Sequence, residues 1–342
     1  MRAIRIIAPG QPLQAREIPM PEPGPWEIRV RVEAAGICHS DAHYRAGTAS
    51  VAQLPITPGH EVAGRIDALG DEVADLAPGD RVALHYLVSC GRCPQCVRGL
   101  EQFCPQGRML GKHRDGGYAE YIVVPAVNAI RVADTVSSPA AAIMMCSSAT
   151  AFHALRKARI GAGERVAVFG IGGLGLSGIQ LARICGATEI YAVDIDPAKL
   201  ALARGLGAEP IDPAEGAPQE QIRERTGGHG VDVALEFAGL PLTQQQAVAA
   251  LAVQGRAALA GITNQRFAID SFPELICREA EVIGVSDHQR GELETLMDFT
   301  ARGLLDLDGV IAERIALDAN AINQRLDRLA GFRGHTRTVI VP

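Results

Sequence analysis

A histidine and a carboxylate stand side by side at His60 and Glu61, in a short segment bounded by glycines. Imidazole and thiolate groups bind zinc, and one histidine cannot hold an ion alone. The available thiols are Cys38, upstream in the sequence, and Cys146, far downstream. We therefore hypothesise that Cys38, His60 and Cys146 hold one catalytic zinc ion. The alternative is a core histidine that is satisfied by packing near two buried thiols.

Four further cysteines lie close together in the sequence with the spacing C-x2-C-x2-C-x7-C. They are Cys90, Cys93, Cys96 and Cys104. Four thiolates on short loops that contain glycine and proline suit a closed tetrahedral zinc site, which has no open position for chemistry. An iron–sulfur cluster is the competing interpretation, because similar spacing occurs there. The spacing predicts a structural zinc ion that folds a small lobe over about residues 88–106.

A glycine-rich segment follows a hydrophobic stretch that ends at Phe169. It satisfies the pattern G-x-G-x-x-G with the residues Gly170, Gly172, Gly173, Leu174 and Gly175. Between a strand and a helix, such glycines allow a tight turn and close approach of the backbone to a pyrophosphate. Asp194 follows at about the 20-residue distance expected of a carboxylate that accepts the ribose hydroxyls. A carboxylate there repels a 2′-phosphate, so the pattern predicts NAD rather than NADP; the alternative is a structural glycine turn in an unrelated α/β domain.

Length and composition limit the class of protein. The chain has 342 residues, which exceeds the size at which single cores stop growing, so two domains are expected. The net charge is −6 and no Lys/Arg run is present, which argues against nucleic-acid binding. The N-terminus is too charged for a signal peptide, and the longest apolar run, residues 166–179, is too short to span a bilayer. We expect a cytoplasmic protein, with clustered cysteines that hold metal rather than disulfides and with no membrane partner.

The hydrophobic pattern changes along the chain. Short predicted strands separated by turn residues fill the first part and indicate a β-rich domain with few helices. Ser137 then starts a helical stretch that is predicted to break near Cys146. Strands and helices alternate over residues 165–285, which predicts a parallel sheet with helices on both faces. The tail returns to an amphipathic helix at residues 291–303 and a closing strand at 337–341.

With these motifs, nearly the whole chain resembles the zinc-dependent medium-chain alcohol dehydrogenase family. The segment from Gly59 to Val73 matches the zinc signature of that family, the four-cysteine run its structural-zinc lobe, and the glycine-rich segment its coenzyme domain. The resemblance implies an α/β protein with two domains. A β-rich GroES-like catalytic domain would comprise residues 1–145 and 286–342. A Rossmann-type domain with a doubly wound parallel sheet would comprise residues 146–285.

The resemblance also implies roles for particular residues around the ion. Cys38, His60 and Cys146 would bind the catalytic zinc, and this Cys2His set is the one known for zinc alcohol dehydrogenases. Glu61 would be a nearby carboxylate that can exchange onto the ion. Asp41 would orient His60, as a carboxylate behind a zinc ligand usually does.

A proton path and coenzyme contacts are implied in the same way. Ser40 would hydrogen-bond the alcohol oxygen, and His43 would pass its proton to solvent through the nicotinamide ribose. His39 would lie near the pyrophosphate, Lys199 would contact the ribose and Arg337 would reach the pyrophosphate.

The predicted function is the reversible oxidation of a primary or secondary alcohol to an aldehyde or ketone, with NAD accepting the hydride and two zinc ions per chain. A polyol, a hydroxyacyl thioester or a conjugated enal is the alternative substrate. Polyol dehydrogenases tend to carry an acidic ligand where this chain has Cys146, which argues against a sugar alcohol. A catalytically silent protein that binds zinc and NAD is the non-enzymatic alternative. A homo-oligomer is expected, a tetramer rather than a dimer.

Overall fold

The computed structural model describes residues 1–331 and 337–342. The strands of these residues are, in chain order, β1 (Arg2–Arg5), β2 (Gln14–Glu17), β3 (Glu27–Gly36), β4 (Glu61–Leu69), β5 (Arg81–Leu84), β6 (Leu87–Val88), β7 (Arg108–Met109), β8 (Tyr121–Pro125), β9 (Ala129–Arg131), β10 (Arg165–Phe169), β11 (Glu189–Val193), β12 (Glu209–Ile211), β13 (Val231–Glu236), β14 (Leu251–Leu259), β15 (Glu281–Gly284), β16 (Glu313–Ala316) and β17 (Thr338–Val341). The α-helices are α1 (His39–Ala46), α2 (Pro94–Val97), α3 (Ser138–Ile143), α4 (Ala149–Lys157), α5 (Gly173–Ile184), α6 (Pro197–Gly205), α7 (Pro218–Arg225), α8 (Pro241–Ala249), α9 (Arg290–Ala301) and α10 (Ala319–Ala330).

Residues Met1–Cys146 and Gln289–Pro342 form the first of two compact units. Its main sheet has seven strands, six of them in the order β16-β17-β3-β4-β5-β9, and β8 also pairs with β3. The alternation of β3 explains its place in this sheet, because Ile28 and Val30 are buried in the core while Arg31 on the other face is exposed. Cys38 follows the end of β3 and His60 directly precedes β4, so this sheet positions two of the three candidate zinc ligands.

Residues Ser147–His288 form the second unit around a six-stranded parallel sheet. The strand order is β12-β11-β10-β13-β14-β15, in which sequence order reverses between β10 and β13. The central strands β10, β11 and β13 are almost fully buried runs, as expected for a parallel sheet that is covered by helices. Ligands of doubly wound sheets bind beside the carboxyl ends of the strands at such a reversal. This order is that of the predicted Rossmann-type domain.

The two predicted domain boundaries, 145/146 and 285/286, lie one and three residues from those of the compact units. The helix start at Ser137 is confirmed, since its hydroxyl accepts a hydrogen bond from the Ala140 N–H at 3.1 Å. The predicted break near Cys146 is a π-helical turn, Met144–Ser148, between α3 and α4.

Four helices were not predicted. α1, α2 and α10 belong to the first unit and α7 to the second. α1 is only eight residues long and rich in histidine and arginine, so its apolar periodicity is weak. Among the residues that the structure describes, no helix has the length and apolar character needed to cross a membrane.

Candidate metal centres and coenzyme site

The four cysteines of the predicted lobe converge in the loop between β6 and β7. The Sγ atom of Cys93 lies 3.5 Å from that of Cys96 and 3.9 Å from that of Cys104. The Sγ atoms of Cys90 and Cys96 are 4.0 Å apart. A tetrahedral zinc ion with bonds of about 2.3 Å separates its sulfur ligands by about 3.8 Å. These thiols therefore fit a closed zinc site, whereas an iron–sulfur cluster binds its cysteines through different iron atoms and holds the sulfurs farther apart.

A second cluster brings together residues that are far apart in the sequence. The ligand atoms of Cys38, His60, Glu61 and Cys146 all lie within 4.8 Å of one another. Cys38 is the residue before α1, His60 and Glu61 stand at the start of β4, and Cys146 lies in the π-helical turn. The fold thus assembles the three predicted ligands. Two thiols and an imidazole with a carboxylate beside them fit a zinc ion that keeps one position open.

Asp41 connects the elements that carry this cluster. The carboxylate is buried, and its Oδ2 atom accepts the backbone N–H of Cys38 at 3.0 Å. Its Oδ1 atom accepts the N–H of Gly59 at 3.3 Å and lies 3.6 Å from Nδ1 of His60. The last distance is longer than a hydrogen bond, so the interaction with the imidazole is one of charge. Asp41 lies behind His60, where the family resemblance implies it, and its role in orienting the imidazole stays a prediction.

Tyr118 is a supporting residue that sequence reasoning missed. Its side chain is fully buried, and its hydroxyl donates a hydrogen bond to Oδ2 of Asp41 at 2.9 Å. The residue was interpreted as part of a strand, and its type and position carry no signal for a link to a metal site. Tyr118 thus fixes the same carboxylate oxygen of Asp41 that accepts the N–H of Cys38.

Arg337 lies against Glu61 in the buried part of the cluster. Its Nη2 atom contacts Oε2 of Glu61, and both side chains are almost fully buried. Gly36 makes room for this pair, because a Cβ atom there would lie 1.9 Å from Oε2 of Glu61. The other carboxylate atom of Glu61, Oε1, is buried without a hydrogen-bond partner among the described residues. The sequence did not predict this ion pair, and the contact of Arg337 with a pyrophosphate stays a prediction.

The two thiols of the cluster differ in acidity. A hydrogen bond from Cys146 is the main cause that holds the pKa of Cys38 well below its usual range, while burial opposes it and His60 assists it. The pKa of Cys146 is raised well above its usual range, first by the same hydrogen bond and then by burial. Burial lowers the pKa of His60, but Asp41 and Cys38 outweigh it and raise the pKa well above its usual range. A divalent cation would therefore displace protons when it binds here.

Ser40 and His43 lie three residues apart on α1. The Oγ atom of Ser40 is 3.9 Å from Sγ of Cys38, which places the hydroxyl beside the ligand cluster. His43 is exposed, its ring stacks on that of His39 with centroids 4.8 Å apart, and its Nδ1 atom lies 3.1 Å from Oγ1 of Thr48. One helix thus leads from the metal cluster to solvent, as a proton path requires. The path itself stays a prediction.

The three glycines of the G-x-G-x-x-G pattern meet different surroundings between β10 and α5. Gly170 has a φ angle of +90°, and a Cβ atom there would lie 2.8 Å from the N atom of Ala238. A Cβ atom on Gly175 would lie 2.2 Å from the carbonyl oxygen of Gly170. A Cβ atom on Gly172, in contrast, would meet nothing within 4 Å. Gly170 therefore makes the tight turn, Gly175 allows close packing of the helix, and Gly172 leaves the space through which a dinucleotide pyrophosphate can approach.

Asp194 follows the end of β11 and supports the glycine-rich loop directly. Its Oδ2 atom accepts the N–H of Ile171 at 2.7 Å, and Oδ1 accepts the N–H of Asp196 at 2.9 Å. The Nζ atom of Lys199 lies 3.9 Å from Oδ2. The structure therefore places the predicted ribose residues Asp194 and Lys199 side by side at the carboxyl edge of the sheet.

Glu236, at the carboxyl end of β13, is a second residue that the sequence did not single out. Its buried Oε1 atom accepts the N–H groups of Ala238 and Gly239 at 3.0 and 2.8 Å and the hydroxyl of Thr243 at 2.7 Å. Burial raises the pKa of this carboxyl, and its hydrogen bonds oppose the rise. Glu236 fixes the loop that packs against Gly170, so it shapes the crevice at the strand-order reversal.

Comparison with known proteins agrees with this geometry. The model of the alcohol dehydrogenase GroES-like domain matches residues 24–134, and the model of the zinc-binding dehydrogenase domain matches residues 173–302. The chain is also 32% identical to an NAD-dependent alcohol dehydrogenase of Sulfurisphaera tokodaii, with 100% of both chains covered. It belongs to the zinc-dependent medium-chain dehydrogenase family. Membership confirms the predicted α/β fold of a GroES-like domain and a parallel-sheet coenzyme domain.

Relatives within the zinc-dependent medium-chain dehydrogenase family carry different names. A sorbitol dehydrogenase of Bacillus subtilis is 30% identical and covers 96% of this chain, which covers 94% of that protein. A solved putative zinc-binding dehydrogenase from Sinorhizobium meliloti, bound to NADP, is 33% identical with a TM-score of 0.92, and the match covers 100% of this chain and 99% of that one. Substrate and coenzyme therefore have to be argued from the residues of this chain.

Proposed function

We propose that this protein is an NAD-dependent zinc alcohol dehydrogenase that oxidises a primary or secondary alcohol to an aldehyde or ketone. The observation that carries the proposal is the buried cluster of Cys38, His60 and Cys146 with the hydroxyl of Ser40 beside it. A closed four-cysteine site elsewhere in the same unit fits a second, structural zinc ion. The family relationship agrees with both sites.

The reaction removes two electrons and two protons from the alcohol, and NAD takes both electrons with one proton as a hydride. Zinc, when bound, supplies Lewis acidity that makes the alcohol hydroxyl more acidic. The residues of this chain handle the second proton. Ser40 accepts it from the alcohol as its own hydroxyl proton leaves, and the exposed His43 on the same helix passes a proton to solvent. Asp41 keeps the imidazole of His60 oriented during this transfer.

The glycine-rich loop and Asp194 support binding of NAD. Gly172 leaves open space in front of the N-terminus of α5, where a pyrophosphate is stabilised by the helix dipole. Asp194 presents a carboxylate where the ribose hydroxyls would lie and where a 2′-phosphate would be repelled. We assign the implied contacts with the coenzyme to His39, Lys199 and Arg337 in addition. NADP is the alternative coenzyme, since a similar structure is described as bound to it.

A polyol is the second candidate substrate. The similarity to a sorbitol dehydrogenase favours it, and so does Glu61, a carboxylate in the metal cluster whose Oε1 atom has no hydrogen-bond partner among the described residues. Cys146 in the ligand set still favours a simple alcohol. A hydroxyacyl thioester, a conjugated enal and a catalytically silent zinc- and NAD-binding protein remain as further alternatives.

We also propose that the protein is a cytoplasmic homo-oligomer, a tetramer rather than a dimer. The second unit exposes large apolar side chains near its last strands, with Ile262 89%, Phe272 67% and Ile276 64% accessible. β15 forms the edge of its sheet, and exposed edges with apolar neighbours are usually covered. Clustered thiols that hold zinc need a reducing compartment. Light scattering should give four times the mass of the 342-residue chain; the mass of a single chain would contradict the proposal.

The test of the function is a substrate panel followed at the absorbance of NADH. Zinc-replete protein is mixed with NAD or NADP and with primary alcohols, secondary alcohols and polyols. The proposal predicts saturable NADH formation with simple alcohols, with polyols and NADP used less well. Faster turnover of a polyol would favour the second candidate. If the protein binds zinc and NAD but turns over none of these substrates, the result would favour the alternative of a catalytically silent binding protein.

A further inference from the structure

A cavity of about 340 Å³ opens in the second unit at the amino ends of the parallel strands. It lies at the start of β10, β13 and β14, the sheet edge opposite to the glycine-rich loop. Its charged lining is formed by Arg165, Arg223, His229, Asp232 and Arg278. None of these residues is among the predicted metal, coenzyme or proton-transfer residues. A volume of this size accommodates a small ligand.

Two of the arginines are held against the same pair of carbonyl oxygens. Nη2 of Arg223 donates to the carbonyls of Ala249 and Leu251 at 2.7 and 3.1 Å. Nη1 of Arg278 donates to the same two carbonyls, each at 3.0 Å. The two guanidinium groups are therefore only a few ångströms apart. These four bonds cap the end of α8 at Ala249, and each guanidinium keeps further N–H donors that the two carbonyls do not use.

No carboxylate among the described residues forms an ion pair with Arg223 or Arg278. Arg165 pairs with Glu189 at 3.1 Å, so its charge is compensated. Oδ2 of Asp232 accepts the backbone N–H of Arg165 at 2.8 Å. Burial lowers the pKa of Arg223, the neighbouring charge of Arg278 lowers it further, and the charge of Glu220 opposes both. Asp232 is the acidic side chain of the lining, so the two arginines without an ion pair outnumber it, in a protein whose net charge is −6.

We propose that this cavity binds a small phosphate-class oxyanion between the guanidinium groups of Arg223 and Arg278. Arg278 uses Nη1 alone for the two carbonyls, so the fork formed by its Nε and Nη2 atoms is free to bind two oxygens. Arg223 uses Nη2 for the same carbonyls and Nη1 for the carbonyl of Gly228 at 3.4 Å, which leaves its Nε–H and one Nη1 N–H as single donors. Donors from two cations suit the several oxygens of a tetrahedral oxyanion better than a single carboxylate. His229 at the rim adds a further donor, and Val253, 72% exposed, leaves an apolar lip for the organic part of a phosphate ester.

The test is calorimetric titration of the full-length, zinc-loaded protein with inorganic phosphate at constant ionic strength, with chloride as the replaced anion. Saturating NADH is present so that phosphate does not occupy the glycine-rich loop. One phosphate per chain is expected. Glycerol 3-phosphate is titrated separately, because tighter binding of the ester than of inorganic phosphate would identify an organic phosphate as the natural ligand. Acetate is the third titrant and is expected to bind at least about tenfold more weakly.

The variants Arg223→Gln and Arg278→Gln each keep an N–H donor for the two carbonyls and remove the charge. Each is expected to weaken phosphate binding by about tenfold or more, because a charge-assisted hydrogen bond is lost. Arg278→Lys keeps the charge without the fork and should fall between Arg278→Gln and the unaltered protein. Arg204→Gln, on the exposed last turn of α6, is the matched control and should bind as the unaltered protein does.

Melting temperatures of all variants establish that they are folded. If Arg223→Gln is not folded, Arg278→Gln alone decides the outcome. The proposal is overturned if phosphate shows no saturable binding in the presence of NADH. Equal phosphate affinity in Arg278→Gln and Arg204→Gln overturns it as well, since binding would then lie elsewhere. Acetate binding as tight as phosphate binding would overturn the assigned ligand class.

Discussion

Asp41 illustrates how one buried carboxylate can support a metal site without binding the ion. It accepts hydrogen bonds from the N–H of Cys38, the N–H of Gly59 and the hydroxyl of Tyr118. Each of these bonds holds a ligand-bearing segment in place. A carboxylate in this position also raises the basicity of the ligand imidazole. At the scale of single residues, the metal site therefore depends on supporting residues as much as on its ligands.

The first residue-scale prediction concerns Asp41→Asn. The amide keeps the shape of the side chain but loses the negative charge, and one of its two acceptors becomes a donor that faces the N–H groups. Zinc affinity of the catalytic site should fall by about 10- to 100-fold, measured by competition with a chromogenic chelator. Tyr118→Phe removes a single hydrogen bond and should cause a smaller loss. Equal zinc affinity in Asp41→Asn and the unaltered protein would show that the carboxylate does not support the site.

The second residue-scale prediction separates proton transfer from coenzyme binding. Ser40→Ala removes the hydroxyl next to Cys38 and should lower kcat by roughly 100-fold, while the dissociation constant of NAD stays nearly the same. Stopped-flow kinetics and NADH fluorescence measure the two quantities. Ser50→Ala, exposed beyond the end of α1, is the matched control. Equal losses of turnover and NAD affinity would mean that Ser40 is structural.

At the scale of elements, the β10–α5 connection shows that neighbouring glycines are required for different reasons. Gly175 is needed by the protein itself, because a Cβ atom would collide with the carbonyl of Gly170. Gly172 has an ordinary φ of −87° and open space in front of it, so the protein alone does not require glycine there. Because of this difference, substitutions at Gly172 and Gly175 can separate an effect on coenzyme binding from an effect on folding.

The element-scale prediction uses this difference. Gly172→Ala should leave the melting temperature unchanged and weaken NAD binding by about tenfold or more, because the methyl group takes space that the pyrophosphate needs. Gly175→Ala should lower the melting temperature as well. Differential scanning fluorimetry with and without NAD compares the two variants. Unimpaired NAD binding by Gly172→Ala would contradict a coenzyme site at this loop.

At the scale of the whole molecule, the sequence predicted the parallel-sheet unit more completely than the β-rich one. β10, β11 and the start of α5 lie where the hydrophobic runs and the glycine pattern placed them. In the first unit α1 was missed because tertiary packing rather than apolar periodicity supports so short and polar a helix. α10 was also missed, although Ile322, Leu326 and Leu329 stand at helical spacing and could have predicted it. The short spacing of the four cysteines also predicted their lobe correctly. The ion pair of Glu61 with Arg337 and the bond of Tyr118 to Asp41 could not be predicted, since they join segments that only the fold brings together.

Stability of the whole molecule should depend on pH through His85. Burial, assisted by the charge of Arg290, lowers the pKa of this histidine to about 3. The unfolded chain therefore takes up a proton near its ordinary pKa of about 6.5, whereas the folded chain does not. The stabilising contribution is complete above that value and is lost as the pH falls towards 3. Between pH 7.5 and 5.0 it should amount to about 2 kcal/mol.

Urea denaturation at the two pH values tests this prediction, with zinc in excess. His85→Gln should lose about 2 kcal/mol less unfolding free energy than the unaltered protein on acidification. His229→Gln is the matched control, because the exposed His229 has no comparable burial. Identical pH dependence in His85→Gln and the unaltered protein would show that His85 is not held neutral by the fold.

The central claim is that Cys38, His60 and Cys146 form a zinc site that is separate from the four-cysteine lobe. Metal analysis of purified Cys146→Ala tests it most directly, with Cys185→Ala as the control, since Cys185 belongs to neither cluster. We predict two zinc ions per chain in the unaltered protein and in Cys185→Ala, and one in Cys146→Ala, which should remain folded and lose alcohol-dependent NADH formation. Two zinc ions retained in a folded Cys146→Ala, with activity intact, would contradict the account.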